Sequence, residues 1–194
     1  SHYITLHNHI DVYEVKDFPV EGVHAYRSTG TPADCVRFGL KNFVQADAVL
    51  TGINFGYNCG TDLQYSGTAG AAFEGAVEGV HSIAFSEGAF GVHEVSDRYL
   101  EQLLGEYLEK PLERNTIWNI NFPECELKDF KGILTGRTVA HGGYFEDSYP
   151  SEILPDEGIR MTIHGEKCVC AQEGSDYRAC EDNYISIGVV RNLG

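Results

Sequence analysis

Basic residues are few in this sequence. Its 194 residues include 14 Lys and Arg against 29 Asp and Glu, which gives a formal net charge of −15. This charge weighs against broad electrostatic binding of nucleic acid or anionic membrane, although helix-end N–H groups and a metal ion can still hold one small anion. No apolar run reaches the roughly 20 residues of a membrane helix, and no basic-plus-apolar signal segment is recognisable. We therefore expect a soluble, cytoplasmic protein without a nucleic-acid or membrane partner.

Cysteines are also few, and they are scattered. The six cysteines are dispersed along a long chain, which favours reduced thiols over a disulfide framework. Cys168 and Cys170 form a C-x-C pair, but no second pair lies at zinc-ribbon spacing. Because residues i and i+2 share one face of a strand, we favour two strand cysteines, and a zinc site is the lesser alternative.

The middle of the chain has the pattern of an α/β domain. Hydrophobic residues make up 42% and charged residues 22%, and the length suffices for one sizeable core. Apolar runs without polar alternation are typical of parallel strands that are buried on both faces. Such strands are predicted at Ala48–Ile53, Ser82–Ser86 and Thr116–Ile120, with helices at Thr68–Val80 and Val95–Leu108. The alternation predicts a doubly wound, mainly parallel sheet with helices on both faces.

The segments on either side of this core carry other signals. Ser1–Leu6 suggests a strand, Asp11–Arg27 suggests a strand pair around Pro19, and Thr31 followed by Pro32 predicts a helix start. Helical spacing places five residues on the inner face of that helix: Cys35, Val36, Gly39, Leu40 and Phe43.

After Pro123 the pattern turns to strands, predicted at Gly132–His141, Ile159–Ala171 and Tyr184–Val190. We divide the domain into an α/β core, 1–123, and a β-rich extension with the closing strand, 124–194.

Two asparagines follow the first core strand. Asn54 ends that strand, and Asn58 lies in the glycine-rich loop after it. Ligands of open α/β sheets bind beyond the carboxyl ends of the strands, and an amide oxygen is a neutral, hard ligand that suits Mg²⁺, Mn²⁺ or Ca²⁺. The plainer alternative is that Asn54 only hydrogen-bonds the following turn.

The tripeptide Ser66-Gly67-Thr68 precedes the small-residue helix. A helix N-terminus carries unpaired N–H groups and a partial positive charge, which favour a bound phosphate. A simple Ser or Thr cap is compatible with that role. The glycine spacing does not match a dinucleotide site, and no lysine follows as in a P-loop.

Histidines do not cluster near these motifs. His141, in a glycine-rich loop, is the best candidate for an acid or base, and we expect His7, His9 and His81 to be structural or exposed. No Gly-x-Ser-x-Gly motif supports a serine hydrolase.

Two segments together resemble the SurE family, the survival-protein phosphatases that act on nucleoside monophosphates. They are GTPADC at Gly30–Cys35 and TGINFGYNCGTDLQYSGTAGAAFEG at Thr51–Gly75. The tail GSDYRACEDNYISIGVV, at Gly174–Val190, is similar to the closing motif of that family.

The resemblance implies a role for each matched residue. Asn54 corresponds to the metal-binding asparagine, and Asn58 to a second active-site asparagine. Ser66, Gly67 and Thr68 correspond to the segment that meets the phosphate, so that Ser66 is a catalytic candidate together with Asn58. Thr31 and Asp34 would support or pack near the site. The implied activity is a 5′/3′-nucleotidase with one divalent ion, Mg²⁺, Mn²⁺ or Ca²⁺, which polarises the phosphoryl group of a phosphomonoester.

The sequence also departs from the family pattern. The family begins with a strand that ends in Asn-Asp-Asp-Gly and later adds a serine ligand, and neither is present here. We therefore expect an N-terminal segment with these ligands in a longer protein. The family forms oligomers, which implies a homodimer or homotetramer. The alternative function is a truncated or degenerate homologue that binds phosphate or nucleotide without catalysis. A subunit that pairs with a separate acidic chain is a third interpretation.

Overall fold

The central element is a five-stranded sheet whose strands lie side by side in the order Ala48–Phe55 (β3), His81–Glu87 (β4), Thr116–Phe122 (β5), Tyr184–Arg191 (β11) and Gly132–Leu134 (β6). A computed structural model describes residues 3–143, 145–167 and 171–192. Strands β3 (Ala48–Phe55), β4 (His81–Glu87) and β5 (Thr116–Phe122) run parallel. Strand β11 (Tyr184–Arg191) is antiparallel to β5, and β6 (Gly132–Leu134) is parallel to β11. The predicted α/β fold with a mainly parallel sheet is confirmed.

Helices cover both faces of this sheet. Helix α2 (Gly67–Val77) joins β3 to β4 and packs on β3, β4 and β5, while α3 (Glu94–Leu108) joins β4 to β5. The two cores lie on opposite faces: one includes Ile83, Phe85 and Ile120, the other Ala69, Ala84 and Ile117. We call these the α3 face and the α2 face.

Helix α1 (Pro32–Asn42) begins as predicted but packs differently. Thr31 is its N-cap with a complete capping box, and Pro32 is the first helical residue. The helix packs on α2, which buries Ala33 and Asp34. Cys35 and Phe43, predicted to lie on the inner face, are exposed because the face of α1 that meets α2 carries Ala33 and the ion-paired Arg37 instead.

The opening strand was predicted wrongly. The described residues 3–10 form no strand; only β1 (Val12–Val15) and β2 (Ala25–Ser28) pair, as predicted. Thr5 is bound by a side chain instead of a ladder, since its N–H and hydroxyl both donate to Asp34, at 2.8 and 2.7 Å.

The prediction that β3 is buried on both faces was also wrong. Leu50 is 48% exposed and Ile53 41%. The reason is that β3 is the outer strand of the described sheet, with β4 as its neighbour.

The extension contains less central sheet than predicted. The run Gly132–His141 contributes only β6 to the central sheet. The described residues of Ile159–Ala171 contain two short strands, β9 (Ile159–Met161) and β10 (His164–Lys167). These pair with β8 (Ser151–Ile153) and β7 (Phe145–Ser148) in two small exposed sheets. Helix α4 (Asp176–Glu181) leads into β11. The predicted cysteine pair, Cys168 and Cys170, lies outside the described residues.

Candidate active site

Asn54 lies where the sequence predicts it, near the carboxyl end of β3. Its Nδ2 donates to the main-chain oxygen of Gly56 at 2.8 Å, so the local turn interaction is present. That bond uses only the amide nitrogen and fixes the side chain, and the oxygen Oδ1 has no hydrogen bond within the described part of the chain. The turn interaction therefore orients Asn54 without occupying Oδ1, the atom that a metal ion would use.

Asn58 is held on three sides in a buried network. Its N–H donates to Oδ1 of Asn121 at 2.8 Å, and its carbonyl accepts from Nδ2 of Asn119 at 2.9 Å. Its side-chain Nδ2 donates to Oγ of Ser86 at 2.6 Å. Asn58 is only 4% exposed, so the loop that carries it is fixed against the ends of β4 and β5.

Sequence reasoning missed these partner residues. Asn119 and Asn121 alternate with apolar residues at the end of β5. Ser86 is the last polar residue of β4 on the same α2 face. Buried polar side chains need hydrogen-bond partners, so a polar alternation within an apolar strand is the signal that could have indicated them.

The two candidate asparagines meet at Ser86. Asn54 is the register partner of Ser86 across β3 and β4, and Asn58 bonds its hydroxyl. The structure thus brings together two residues that the sequence identified separately, at the carboxyl edge of the sheet.

The Ser66–Thr68 segment forms the N-terminus of α2. Oγ of Ser66 accepts from the N–H of Ala69 at 3.0 Å, which makes Ser66 the N-cap of a helix that begins at Gly67. First-turn N–H groups have no intrahelical partner, so those of Gly67 and Thr68 remain for a ligand beyond the helix end. Thr51 of β3 donates its hydroxyl to the carbonyl of Thr68 at 2.9 Å and ties this helix end to the strand that carries Asn54.

A divalent ion needs more ligands than the described residues supply. Mg²⁺ and Ca²⁺ take roughly six or more oxygens, usually including carboxylates. Asn54 offers one neutral oxygen, and residues 3–143, 145–167 and 171–192 contain no group of three or more His, Cys, Asp or Glu that could hold a metal ion. This donor set does not by itself make a metal site.

Thr31 and Asp34 serve the N-terminal segment. The Asp34 carboxylate accepts from Thr5 and from the N–H of Thr31, and the Thr31 hydroxyl donates to the carbonyl of Tyr3. Burial acts to raise the pKa of Asp34, but the hydrogen bonds from Thr5 and Thr31 outweigh it, so that this pKa lies below its ordinary value. Both residues therefore fix residues 3–5 against α1.

His141 lies apart from the asparagines. Its main chain exchanges two hydrogen bonds with the side chain of Gln172. His141 also lines a cavity of about 500 Å³ together with Gly60 and Arg191. No hydrogen bond links its ring to Asn54 or Asn58 in the described residues. Its neighbour Gly142 accepts the N–H of Thr61, so His141 lies beside the loop of Asn58 without joining the described hydrogen bonds of the two asparagines.

Asp176 is a further buried carboxylate that the sequence did not single out. It is 4% exposed and accepts three main-chain N–H bonds, from Gly60, Ala140 and Tyr177. Burial raises the pKa of this carboxyl. Gly60 lies two residues after Asn58. Its bond to Asp176 therefore anchors the far side of the Asn58 loop to α4.

Comparisons with known proteins agree with this architecture. The family model described as "Survival protein SurE" matches residues 1–142. The chain is 36% identical to "5′-nucleotidase SurE" of Synechococcus sp. (strain JA-3-3Ab), covering 96% of this chain and 73% of that protein. It is 37% identical to the protein of that name from Thermoanaerobacter sp. (strain X514), covering 72% of this chain and 57% of the relative.

A solved structure matches over the whole chain. The crystal structure of Sure Protein from Aquifex aeolicus superposes with a TM-score of 0.80 and 29% sequence identity. The match covers 100% of this chain and 78% of that chain.

Proposed function

Because this chain belongs to the SurE family, we propose that it is a metal-dependent phosphomonoesterase that hydrolyses nucleoside monophosphates, a 5′/3′-nucleotidase. The names of its relatives support nucleotidase activity at the 5′ position. The 3′ activity and the metal requirement are part of the proposal.

One observation carries the proposal: Asn54 and Asn58 meet at Ser86, next to the N-terminus of α2. This places amide groups and free helix N–H groups at one edge of the sheet. Phosphoryl transfer depends mainly on positioning and on neutralising charge, and an edge of fixed hydrogen-bond donors suits that task.

The residues of this chain would divide the work between binding and orientation. The N–H groups of Gly67 and Thr68 would bind the phosphoryl oxygens at the helix end. Asn58 would direct its amide at the same group, since Ser86, Asn119 and Asn121 hold its side chain and main chain in place. Ser66 would act through its cap on Ala69, which keeps the first turn of α2 open towards the ligand.

The divalent ion, one Mg²⁺, Mn²⁺ or Ca²⁺, is proposed from the family resemblance. Asn54 is its proposed ligand in this chain, and acidic ligands would have to join it, because a single amide does not hold such an ion.

The test is phosphate release from nucleoside monophosphates by the full chain with Mn²⁺ or Mg²⁺, repeated with EDTA. Hydrolysis that needs the metal and falls strongly in Asn54→Ala supports the proposal. Asn42→Ala is the matched control, because Asn42 is an exposed asparagine on α1 whose amide bonds only the carbonyl of Phe38 among its described contacts. Release that survives both EDTA and Asn54→Ala would refute the metal mechanism. Nucleotide binding without release would favour the non-catalytic alternative.

We also propose a homodimer or homotetramer located in the cytoplasm. The two small sheets of the extension expose apolar side chains, among them Ile153 at 83% and Met161 at 65%, which supports a subunit contact there. None of the described helices is both long and apolar enough to cross a membrane.

A further inference from the structure

Three aromatic side chains are exposed around the same carboxyl edge: Phe55 and His93 on the α3 face, and Phe90 in a small cavity with Gly56 and Glu124. Phe55 ends β3 and is 56% exposed, and Phe90 lies in the loop after β4 and is 83% exposed. His93, at the N-cap of α3, has 43% of its side chain exposed. The rings of Phe55 and His93 lie 5.6 Å apart between centroids, tilted by 43°.

His93 is held in a fixed orientation. Its Nδ1 lies 2.9 Å from Oε1 of Glu87, the register partner of Phe55. The second carboxylate oxygen of Glu87 accepts from the Ser96 hydroxyl, and Glu87 is buried. The hydrogen bond with Glu87 raises the pKa of His93. The imidazole is therefore an ordered ring at the mouth of the edge and not a freely rotating surface side chain.

This aromatic group is continuous with the candidate phosphate site. Successive strand residues point to opposite faces, so Asn54 faces α2 while Phe55, one residue further, faces α3. Gly56 follows, and a side chain there would meet nothing closer than the Asn54 amide at 3.8 Å. The bare backbone at Gly56 leaves a path over the edge from one face to the other.

The charges beside the three aromatic rings select against a second anion. Glu87 pairs with His93, and Glu124 accepts the main-chain N–H of Phe90. The Glu124 carboxylate would repel a phosphate but not a neutral heterocycle, whereas the Glu87 carboxylate is paired with His93. Aromatic side chains stack on nucleobases with little dependence on base identity, so this chemistry fits the base of a nucleotide.

We propose that Phe55, Phe90 and His93 form the subsite for the base of the nucleotide, whose phosphate lies on the α2 side of the edge. This inference rests on the proposed nucleotidase function and adds the residues that distinguish a nucleotide from other phosphomonoesters. Phe90 is the most exposed ring and supplies the largest accessible stacking face.

The test compares adenosine 5′-monophosphate with ribose 5-phosphate, which has the same phosphoester but no base. Phe90→Ala is expected to lower kcat/KM for the nucleotide about tenfold, through KM, and to leave ribose 5-phosphate unchanged. The matched control is Phe43→Ala, a 53% exposed phenylalanine at the end of α1. His93→Gln is expected to act in the same direction as Phe90→Ala.

Binding of adenosine, measured by calorimetry, separates this inference from the function on which it rests. Adenosine binding that weakens about tenfold in Phe90→Ala supports the subsite even if wild-type chain releases no phosphate, a result that would refute the nucleotidase alone. Equal losses on both substrates, or none on either, would overturn the subsite. A change of mass in light scattering for Phe90→Ala, with activity lost on both substrates, would assign the rings to a subunit contact and also overturn it.

Discussion

Ser86 is the residue on which both candidate asparagines converge, so its hydroxyl offers the sharpest test of the site. Ser86→Ala removes the acceptor of the Asn58 amide, a bond of 2.6 Å in a fully buried position. Leaving a buried donor unpaired costs about 1–3 kcal/mol. We expect Ser86→Ala to lower the free energy of unfolding by an amount in this range. The fold should persist because the main chain of Asn58 keeps its bonds to Asn119 and Asn121.

The catalytic effect should be larger than this loss of stability suggests. A misplacement of about 1 Å in an active site can lower the rate about 100-fold, and the freed Asn58 side chain loses its only described orienting partner. We expect kcat for phosphate release to fall roughly 10- to 100-fold, with a smaller change in KM because the helix N–H groups of Gly67 and Thr68 still bind phosphate.

Ser82→Ala is the matched control for this experiment. Ser82 is equally buried on the same strand and face, and its hydroxyl donates to the carbonyl of Val80 at 2.9 Å, with no contact to Asn58. Urea unfolding should give both variants losses in the same range of about 1–3 kcal/mol, while only Ser86→Ala loses kcat. If the two variants lose kcat equally, or if Ser86→Ala keeps it, the assignment of Asn58 is wrong.

Two further predictions concern stability. Asp34→Asn should lower the free energy of unfolding at pH 7 by about 1–3 kcal/mol. The new side-chain amide nitrogen would face the N–H group of Thr5 or Thr31, and two donors cannot bond each other. The pKa of Asp34 lies below its ordinary value in the folded chain. The stability advantage of the wild type over Asp34→Asn should therefore be full at neutral pH and shrink as the pH falls from about 4 through the folded-state pKa of Asp34. An advantage that stays constant over this range would refute the role of the Asp34 hydrogen bonds. Gly75→Ala should destabilise by about 1–3 kcal/mol in thermal unfolding, since its Cβ would lie 2.5 Å from Oγ of Ser82. The control Gly105→Ala lies in open space on α3 and should stabilise the protein by about 0.5–1 kcal/mol. Equal effects of Gly75→Ala and Gly105→Ala would refute the close contact of α2 with the sheet.

Local chemistry determined which parts of the fold could be predicted. Thr31 and Pro32 specify a helix start through one cap and one fixed φ angle, and Ser66 does the same for α2. Their neighbours in sequence decide the outcome, so pattern reasoning succeeds. The apolar run of β3 likewise predicts a strand, but not its exposure, which depends on which strands lie beside it.

The partners within the site depend on register and could not be predicted in this way. Ser86 and Asn121 contact Asn58 from positions 28 and 63 residues away. Nothing in the local sequence specifies which residue of β4 or β5 ends beside the loop. The opening segment shows the same limit, because Thr5 pairs with Asp34 across 29 residues instead of joining a ladder.

The distribution of charge across the edge explains how an acidic protein can approach a phosphate. The chain has a net charge of −15, yet the side chains that meet on the α2 face are neutral amides and hydroxyls, those of Asn54, Asn58 and Ser86. A phosphate there would meet neutral hydrogen-bond donors and no negative side chain among these three, and the helix end supplies a partial positive charge. The Glu87 carboxylate lies on the α3 face and the Glu124 carboxylate lies beside Phe90, where the proposed ligand part is an uncharged base. Under the proposed function the edge would therefore orient a nucleotide by charge as well as by shape, since a reversed ligand would place its phosphate near a carboxylate and its base against polar amides.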